Sequence, residues 1–225
     1  MPGYSPLLAV LTGVFETAAA FFAFLSPGRK RILNPVALLL LLLAGYQFAE
    51  AAVCADPENL LLSRLAFFDI TWLPPVGLWL LGQLALPERK GWRFVAAGYF
   101  AAGAALVVWI LVDPAVITKS VCQLVIARFW HPAPFETAYG IFYQFGLLLI
   151  IGGAAAGLVK SPHRVSRAHL FNLQLGLLGF VLPSLYLWGV LREPAGILPS
   201  VMCHFALILA VCLAAIVLRE RKHAK

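Results

Sequence analysis

Long apolar runs separated by short polar connections dominate the chain, and each run is close to the length that crosses a bilayer. A helix needs about 20 residues to span roughly 30 Å of hydrocarbon, and seven stretches meet that requirement. The predicted spans are residues 5–26, 35–54, 65–86, 93–112, 137–158, 169–191 and 197–218. We therefore predict an all-α membrane protein in which residues 1–225 form a single seven-helix transmembrane domain.

Most connections between the predicted spans are short and carry residues that break helices, such as Pro27 with Gly28, Pro57 and Pro162. The exception is the long segment from Asp113 to Glu136. Its length and its aromatic residues favour an anchor that lies along the membrane interface. The alternative is a lid that folds over the mouth of the bundle.

The basic residues are unevenly divided between the two ends of the predicted bundle. Four of the 17 Lys and Arg residues fall at the end with the long segment, which leaves 13 at the opposite end. Those four are Arg64, Lys119, Arg128 and Arg192. Cytoplasmic connections carry the excess of Lys and Arg in membrane proteins. The pattern predicts an N-terminus outside, a cytoplasmic C-terminus and a multi-pass location in the plasma (inner) membrane.

Composition and charge exclude other classes of protein. With 62% apolar and 12% charged residues, the chain has too little polar surface for a soluble domain. The net charge of +7 is spread over several connections, as anionic lipids and the insertion machinery select, and forms no compact patch for nucleic acid. The expected partners are therefore membrane lipids and no nucleic acid.

The four cysteines give one structural hypothesis. Cys54 ends helix two and Cys122 lies in the long outer segment, so the two are either disulfide-bonded or separate free thiols on that side. Cys203 and Cys212 are nine residues apart and point to opposite faces of helix seven. Neither pair has zinc or iron–sulfur spacing, and we predict no metal and no cofactor.

Ionisable residues inside the spans are the strongest local signal, because a charge at bilayer depth costs several kcal/mol unless it faces protein or water. They are Glu16, Glu50, Asp69 and His204. Gln47 and Glu50 share one face of helix two with Tyr46. At 1.5 Å per residue, Glu50, Asp69 and His204 lie about 6 to 9 Å below the outer ends of their helices. We predict that they line a polar cavity in the outer half of the bundle.

Helix three contains a second signal next to Asp69. Pro74 and Pro75 have no N–H group, so the carbonyls of Ile70 and Thr71 lose their helical donors. Free carbonyls beside a carboxylate are suited to a cation or to a hydrogen-bond donor. The alternative is an ordinary proline kink in which Thr71 or a water satisfies the carbonyls.

Each remaining polar residue also has an ordinary structural explanation. Glu16 is either a ligand residue or a protonated carboxyl bonded to a neighbouring helix, with no other acid predicted at its depth. A neutral, hydrogen-bonded His204 is favoured over a metal ligand, because helix seven has no second histidine at i+4. Tyr143 and Gln144 in helix five are either ligand contacts or interhelical hydrogen bonders.

Short motifs in three helices resemble a known group of proteins. They are Tyr46-Gln47-Phe48-Ala49-Glu50 in helix two, Trp72 to Pro75 in helix three, and Met202-Cys203-His204-Phe205-Ala206 in helix seven. In these motifs and in its layout the chain resembles uncharacterised bacterial seven-helix membrane proteins. The resemblance implies a seven-helix bundle and no particular activity.

Other seven-helix families fit less well. Rhodopsins hold retinal on a Lys in helix seven, and this helix has none. Hydrolases of the ceramidase and adiponectin-receptor type use several membrane histidines, whereas one lies well inside a span here. Membrane terpene cyclases resemble the chain in having an acid in helix two, where Glu50 would be the catalytic acid. Ala49 replaces the aromatic residue of their motif, and helix seven lacks their Asp.

These observations predict a membrane protein that binds a small solute, proton or cation in the polar cavity, as a transporter or ligand sensor without catalytic residues. Glu50, Gln47 and Asp69 are the expected ligand residues, and His204 and Tyr143 assist them. One alternative is an enzyme of the terpene-cyclase type. Another is a structural subunit of a larger membrane complex, whose polar faces would meet a partner membrane protein.

Overall fold

The protein folds as a bundle of long α-helices that run up and down in chain order. The computed structural model describes residues 6–85, 90–123, 126–160, 164–190 and 198–224. In these ranges the helices are α1 (Leu7–Leu25), α2 (Lys30–Ala55), α3 (Leu60–Ile70), α4 (Leu73–Ala85), α5 (Lys90–Val112), α6 (Ala133–Lys160), α7 (Arg164–Val190) and α8 (Leu198–His223). Counting α3 and α4 as one interrupted span, seven segments of the described chain are long and apolar enough to cross a membrane. The predicted seven-helix membrane fold is confirmed at this level.

The long connection between α5 and α6 folds as a β-hairpin. After a short 3₁₀ turn at Pro114–Val116, strands β1 (Lys119–Gln123) and β2 (Ile126–Trp130) pair antiparallel, with Lys119 opposite Trp130. The strands contact α2, α3 and α8, and alternate residues of β2, Ala127 and Phe129, are buried. The segment therefore packs on α2, α3 and α8, and its role as a lid or as an interfacial anchor stays a prediction. We call this end of the bundle the hairpin end and the opposite end the basic end.

Helix α2 is the central element of the bundle. It packs against α1, α3, α4, α8 and both strands of the hairpin. Its apolar run from Val36 to Ala44 is buried on almost every side, as expected for a helix without a polar face. Close to the hairpin end, the same helix carries Tyr46, Gln47 and Glu50, which are also buried. The polar residues of α2 are thereby held inside the protein.

Helix α1 packs against α2 through a face of small residues. Its buried positions recur at helical spacing and are Ala9, Thr12, Gly13, Glu16, Ala20 and Ala23. A Cβ added at Gly13 would lie 3.0 Å from the ring of Phe48 in α2, so the two backbones approach closely there. Glu16 is the one charged residue of this face, and helix packing carries it into the interior.

The third membrane span is broken between α3 and α4. Pro74 and Pro75 lie in the first turn of α4, where a backbone N–H group is not needed. The Thr71 hydroxyl donates to the carbonyl of Phe67 at 2.6 Å. The break thus occurs at Thr71 and Trp72, two residues after Asp69, and Thr71 stabilises the end of α3. Helix α7, by contrast, continues through Pro183.

Candidate functional site

Polar side chains converge in the hairpin half of the bundle, between α1, α2, α3, α6 and α8. Cys203 of α8 lies within electrostatic range of the three carboxyl groups of Glu16, Glu50 and Asp69. Tyr46 of α2 and Tyr143 of α6 lie within electrostatic range of the same thiol. We call this set the polar cluster: Glu16, Tyr46, Gln47, Glu50, Asp69, Tyr139, Tyr143 and Cys203.

Hydrogen bonds link Glu50 of α2 to α8 and, through Ser200, to the hairpin. Its side chain is 1% exposed, and Oε1 accepts a hydrogen bond from the Ser200 hydroxyl at 2.6 Å. The Ser200 oxygen in turn accepts from the backbone N–H of Ala127 in β2 at 3.0 Å. The Glu50 carboxyl is thereby connected to the hairpin through Ser200. Its Oε2 atom is buried without a hydrogen-bond partner among the described residues.

Gln47 also serves a contact between helices. Its Nε2 atom donates to the carbonyl of Cys203 at 2.7 Å, and its side chain is 3% exposed. Such interhelical hydrogen bonds contribute about 0.6 kcal/mol on average in membrane bundles. The sequence predicted Gln47 as a ligand residue, and the structure uses its amide nitrogen to join α2 and α8.

Asp69 reaches α2 because the residue opposite it is a glycine. A Cβ placed on Gly45 would lie 2.5 Å from Oδ1 of Asp69, so no larger residue fits there without displacing the carboxyl group. The carboxyl also lies against the backbone amide of Tyr46. Its Oδ2 atom is buried and has no hydrogen-bond partner within the described ranges.

The carboxyl groups of Glu16 and Asp69 lie within electrostatic range of each other, and we call these two residues the Glu16–Asp69 pair. Glu16 is fully buried, neither of its oxygens has a described hydrogen-bond partner, and Asp69 is its charged neighbour. Each residue is nine positions from the start of its helix at the hairpin end, a depth of about 14 Å. The salt bridges of the described residues are made elsewhere, by Glu220. The pair thus lies deep in the bundle without a basic partner among the residues that the structure describes.

This pairing corrects two expectations from the sequence. An acid does lie at the depth of Glu16, and Asp69 is deeper than Glu50, which is about 8 Å below the end of α2. The reason is that α3 begins at Leu60, five residues before the predicted start of the span. Asp69 is thereby level with Glu16.

His204 does not join the carboxyl groups in the described contacts. Its Nδ1 atom donates to the carbonyl of Ser200 at 2.7 Å within α8, and the ring is half-buried. Across the described residues, no group of three His, Cys, Asp or Glu side chains is arranged to hold a metal ion. The predicted assistance of His204 in ligand binding therefore has no contact to support it.

The aromatic side of the cluster is formed by α6. Tyr143 is buried as predicted and stacks on Tyr139 at 6.0 Å between ring centres. The Tyr139 hydroxyl lies 3.3 Å from the Thr71 hydroxyl. Gln144 is half-buried and contributes no described hydrogen bond to the cluster. Tyr139 was missed, although its position four residues before Tyr143 places it on the same helix face.

A disulfide holds the hairpin above the cluster. Cys54 at the end of α2 is bonded to Cys122 in β1, and their Cα atoms are 5.5 Å apart. The Ser120 hydroxyl adds a hydrogen bond to the carbonyl of Pro57 at 2.6 Å. The hairpin is thus tied to the bundle on both strands, through the disulfide on β1 and through Ser200 on β2.

His131 packs at the hairpin end of the bundle. Its Nδ1 atom donates to the carbonyl of Val116 at 2.9 Å, and its ring centre is 4.7 Å from that of Phe67. Burial lowers the pKa of His131 below its ordinary value. The neutral imidazole is therefore the form that this packing favours.

Comparison with known proteins leaves the function to be inferred from this geometry. No protein-family model matches the chain, and no curated protein matches it. The resemblance to bacterial seven-helix membrane proteins accordingly stays a prediction.

Proposed function

We propose that the protein binds a proton or a small monovalent cation at the Glu16–Asp69 pair, as a membrane transporter or ligand sensor. The observation that carries the proposal is the fully buried Glu16 carboxyl, whose oxygens both lack described hydrogen-bond partners beside a second carboxyl. Two unpaired negative charges at this depth would cost several kcal/mol each. A shared proton or a bound monovalent cation neutralises one of the two charges and lowers that cost.

The donor set favours a small, hard cation over other ligands. Carboxylate and carbonyl oxygens bind protons and alkali or alkaline-earth cations, whereas anions are repelled. Pro74 and Pro75 cannot donate to the carbonyls of Ile70 and Thr71, which follow Asp69 directly. Together the two carboxyl groups and these two carbonyls would offer at most six oxygens, the lower limit of the six to eight that Ca²⁺ takes, and we therefore propose a proton or a monovalent ion as the ligand.

The other members of the polar cluster give the pair a route to the hairpin end. Glu50 is about 8 Å below the end of α2, and the pair is about 14 Å deep. Cys203 lies within electrostatic range of Glu50 and of both members of the Glu16–Asp69 pair. We place Glu50 and Cys203 along the path by which a proton or cation reaches Glu16 from the side covered by the hairpin.

Two observations support an external position for the hairpin end. In the predicted arrangement of the spans, 13 of the 17 Lys and Arg residues lie at the basic end. This excess favours a cytoplasmic position for that end. The Cys54–Cys122 disulfide lies at the hairpin end, and disulfides persist on the oxidising side of a cell membrane. We propose that the site opens outward from the plasma membrane.

The alternatives have less support. A terpene-cyclase acid must reach its substrate, whereas Glu50 already accepts a hydrogen bond from Ser200 beneath the hairpin. A structural subunit would present its polar faces to a partner, whereas Gln47 and Glu50 bond to α8 of the same chain. Neither alternative explains why Glu16 and Asp69 are placed together.

The test is a thermal-unfolding titration of the purified protein with Na⁺, K⁺ and Li⁺ chloride at constant ionic strength, repeated across pH. A ligand that binds the folded state raises the midpoint temperature with its concentration. We expect a saturable rise with protons or with one cation, lost in Glu16→Gln and in Asp69→Asn. Glu58→Gln is the matched control, because Glu58 is exposed. A rise that persists in both pair variants rejects the proposal.

A further inference from the structure

A groove at the basic end carries several hydrogen-bond donors among its lining residues. Its volume is about 680 Å³, and it lies between the first turns of α2 and α7 and the last turns of α4 and α8. Its polar lining residues are Arg29, Arg31, Gln83, Ser166, Glu220 and His223. We call it the basic groove. Its volume is within the range of small-molecule sites.

One wall of the groove is fixed by a buried carboxylate. Glu220 is 2% exposed and accepts hydrogen bonds from Nε of Arg29 at 3.0 Å and from Nε2 of His169 at 2.7 Å. Nη2 and the backbone N–H of Arg29 donate to the same carboxylate. Glu220 raises the pKa of the Arg29 guanidinium. The negative charge of Glu220 is therefore compensated by its hydrogen bonds with Arg29 and His169.

The other donors in the lining of the groove are available to bind a ligand. Nη1 of Arg29 is not used in the bonds to Glu220 and can still donate. Arg31 is exposed and forms no described ion pair. Ser166 adds a hydroxyl in the first turn of α7, where backbone N–H groups have no partner within the helix. Two guanidinium groups with neutral donors are the chemistry that recognises phosphate oxygens.

The position of the groove along the bundle corresponds to the level expected for lipid headgroups. Helix α2 has 26 residues and is about 39 Å long, which exceeds the roughly 30 Å of hydrocarbon. If that excess lies at the basic end, the first turn of α2, with Arg29 and Arg31, is at the level of the headgroups. Basic pockets between helix ends on the cytoplasmic side are known to bind anionic lipid headgroups.

We propose that the basic groove binds a phosphate group, supplied by the headgroup of an anionic phospholipid or by a soluble phosphorylated compound. Arg31 and the free edge of Arg29 contact the phosphate oxygens, and Ser166 donates to them. Glu220 and His169 hold Arg29 in position. This site is independent of the Glu16–Asp69 pair at the other half of the bundle.

The experiment is a binding titration of the purified full chain in detergent by native mass spectrometry. The probes are phosphatidylglycerol, phosphatidylcholine of the same acyl length, and inorganic pyrophosphate. We expect saturable binding of phosphatidylglycerol or pyrophosphate, weakened about tenfold in Arg31→Gln. The matched control is Lys222→Gln, which removes one positive charge from an exposed residue that does not line the groove.

The outcomes separate the sources of the phosphate. Binding of phosphatidylglycerol alone identifies a lipid headgroup, and binding of pyrophosphate that competes with the lipid identifies a soluble phosphorylated ligand. Equal losses in Arg31→Gln and Lys222→Gln would show that only general charge attraction acts, and the proposal would be overturned. Absence of saturable binding by both phosphate probes also overturns it. Glu16→Gln leaves phosphate binding unchanged, so the two sites are tested separately.

Discussion

Glu16 and Glu50 are both buried glutamates, yet their surroundings give them different roles. Glu50 accepts a hydrogen bond from Ser200, whereas the oxygens of Glu16 have no described partner and lie within electrostatic range of Asp69. Replacing a partnered carboxylate by its amide weakens the hydrogen bond, whereas Glu16 has no described hydrogen bond to lose and must be neutralised to be buried, a cost that its amide does not carry. The two residues should therefore respond differently to the same substitution.

We expect Glu50→Gln to lower the free energy of unfolding by about 1–3 kcal/mol, because the amide is a weaker acceptor for Ser200. Glu16→Gln should leave that free energy unchanged or raise it by about 1 kcal/mol. Denaturant unfolding of both variants in the same detergent makes the comparison. A loss for Glu16→Gln as large as that for Glu50→Gln would mean that Glu16 has a structural partner.

His131 gives a prediction on pH. Burial lowers its pKa in the folded protein, and an unfolded histidine titrates near pH 6.5. The unfolded state therefore binds the proton more tightly, so the stability contributed by neutral His131 is complete above about pH 6.5 and falls at lower pH. We expect the midpoint temperature to fall less between pH 7.5 and 5 in His131→Asn than in the unchanged protein. Parallel curves for the two proteins would contradict this role.

The depth of Glu50 could be predicted approximately from the sequence, but the depth of Asp69 could not, because α3 begins five residues before the predicted span. The partners of the acids could not be predicted. Helical spacing predicted the face shared by Tyr46, Gln47 and Glu50, and that face is buried. The Glu16–Asp69 pair depends on the packing of α1 and α3 around α2, and no pattern within one helix reports such packing. Ser200 was missed for the same reason, since a single serine near a helix start is not a distinctive signal.

Contacts between helices rely on glycine where a carboxyl group must approach. Gly45→Ala would place a Cβ against Oδ1 of Asp69, and we expect a loss of about 1–3 kcal/mol in the free energy of unfolding. Gly140→Ala is the control, because a Cβ there meets nothing within 4 Å. It should stabilise α6 by up to about 1 kcal/mol through helix propensity. Similar effects of the two substitutions would show that Asp69 does not pack on Gly45.

The long helices were predictable because length and apolarity determine a membrane span, and their bounds moved by a few residues where polar ends remain helical beyond the hydrocarbon. The hairpin was not predicted as strands. Each strand has five residues, and Leu124 and Val125 separate them in the sequence, where a tight hairpin usually carries Asn or Gly. The alternation of buried Ala127 and Phe129 is too short to identify β2 by itself.

The distribution of charge over the full chain predicts how the protein sits in its membrane. Lys119 is exposed at the hairpin end, and Lys222 is exposed at the basic end. A membrane-impermeant amine reagent applied to intact cells should modify Lys119 and leave Lys222 unmodified until the membrane is permeabilised. Modification of Lys222 in intact cells would reverse the proposed orientation and place the hairpin inside.

The most direct measurement is infrared difference spectroscopy of the purified protein on addition of cation or on a rise in pH. It detects the C=O vibration of a protonated carboxyl group. We expect a protonated-carboxyl signal that disappears with either change, is absent in both Glu16→Gln and Asp69→Asn, and persists in Glu58→Gln. A signal that persists in both pair variants, or that neither cation nor pH alters, would contradict a proton or cation site at this pair.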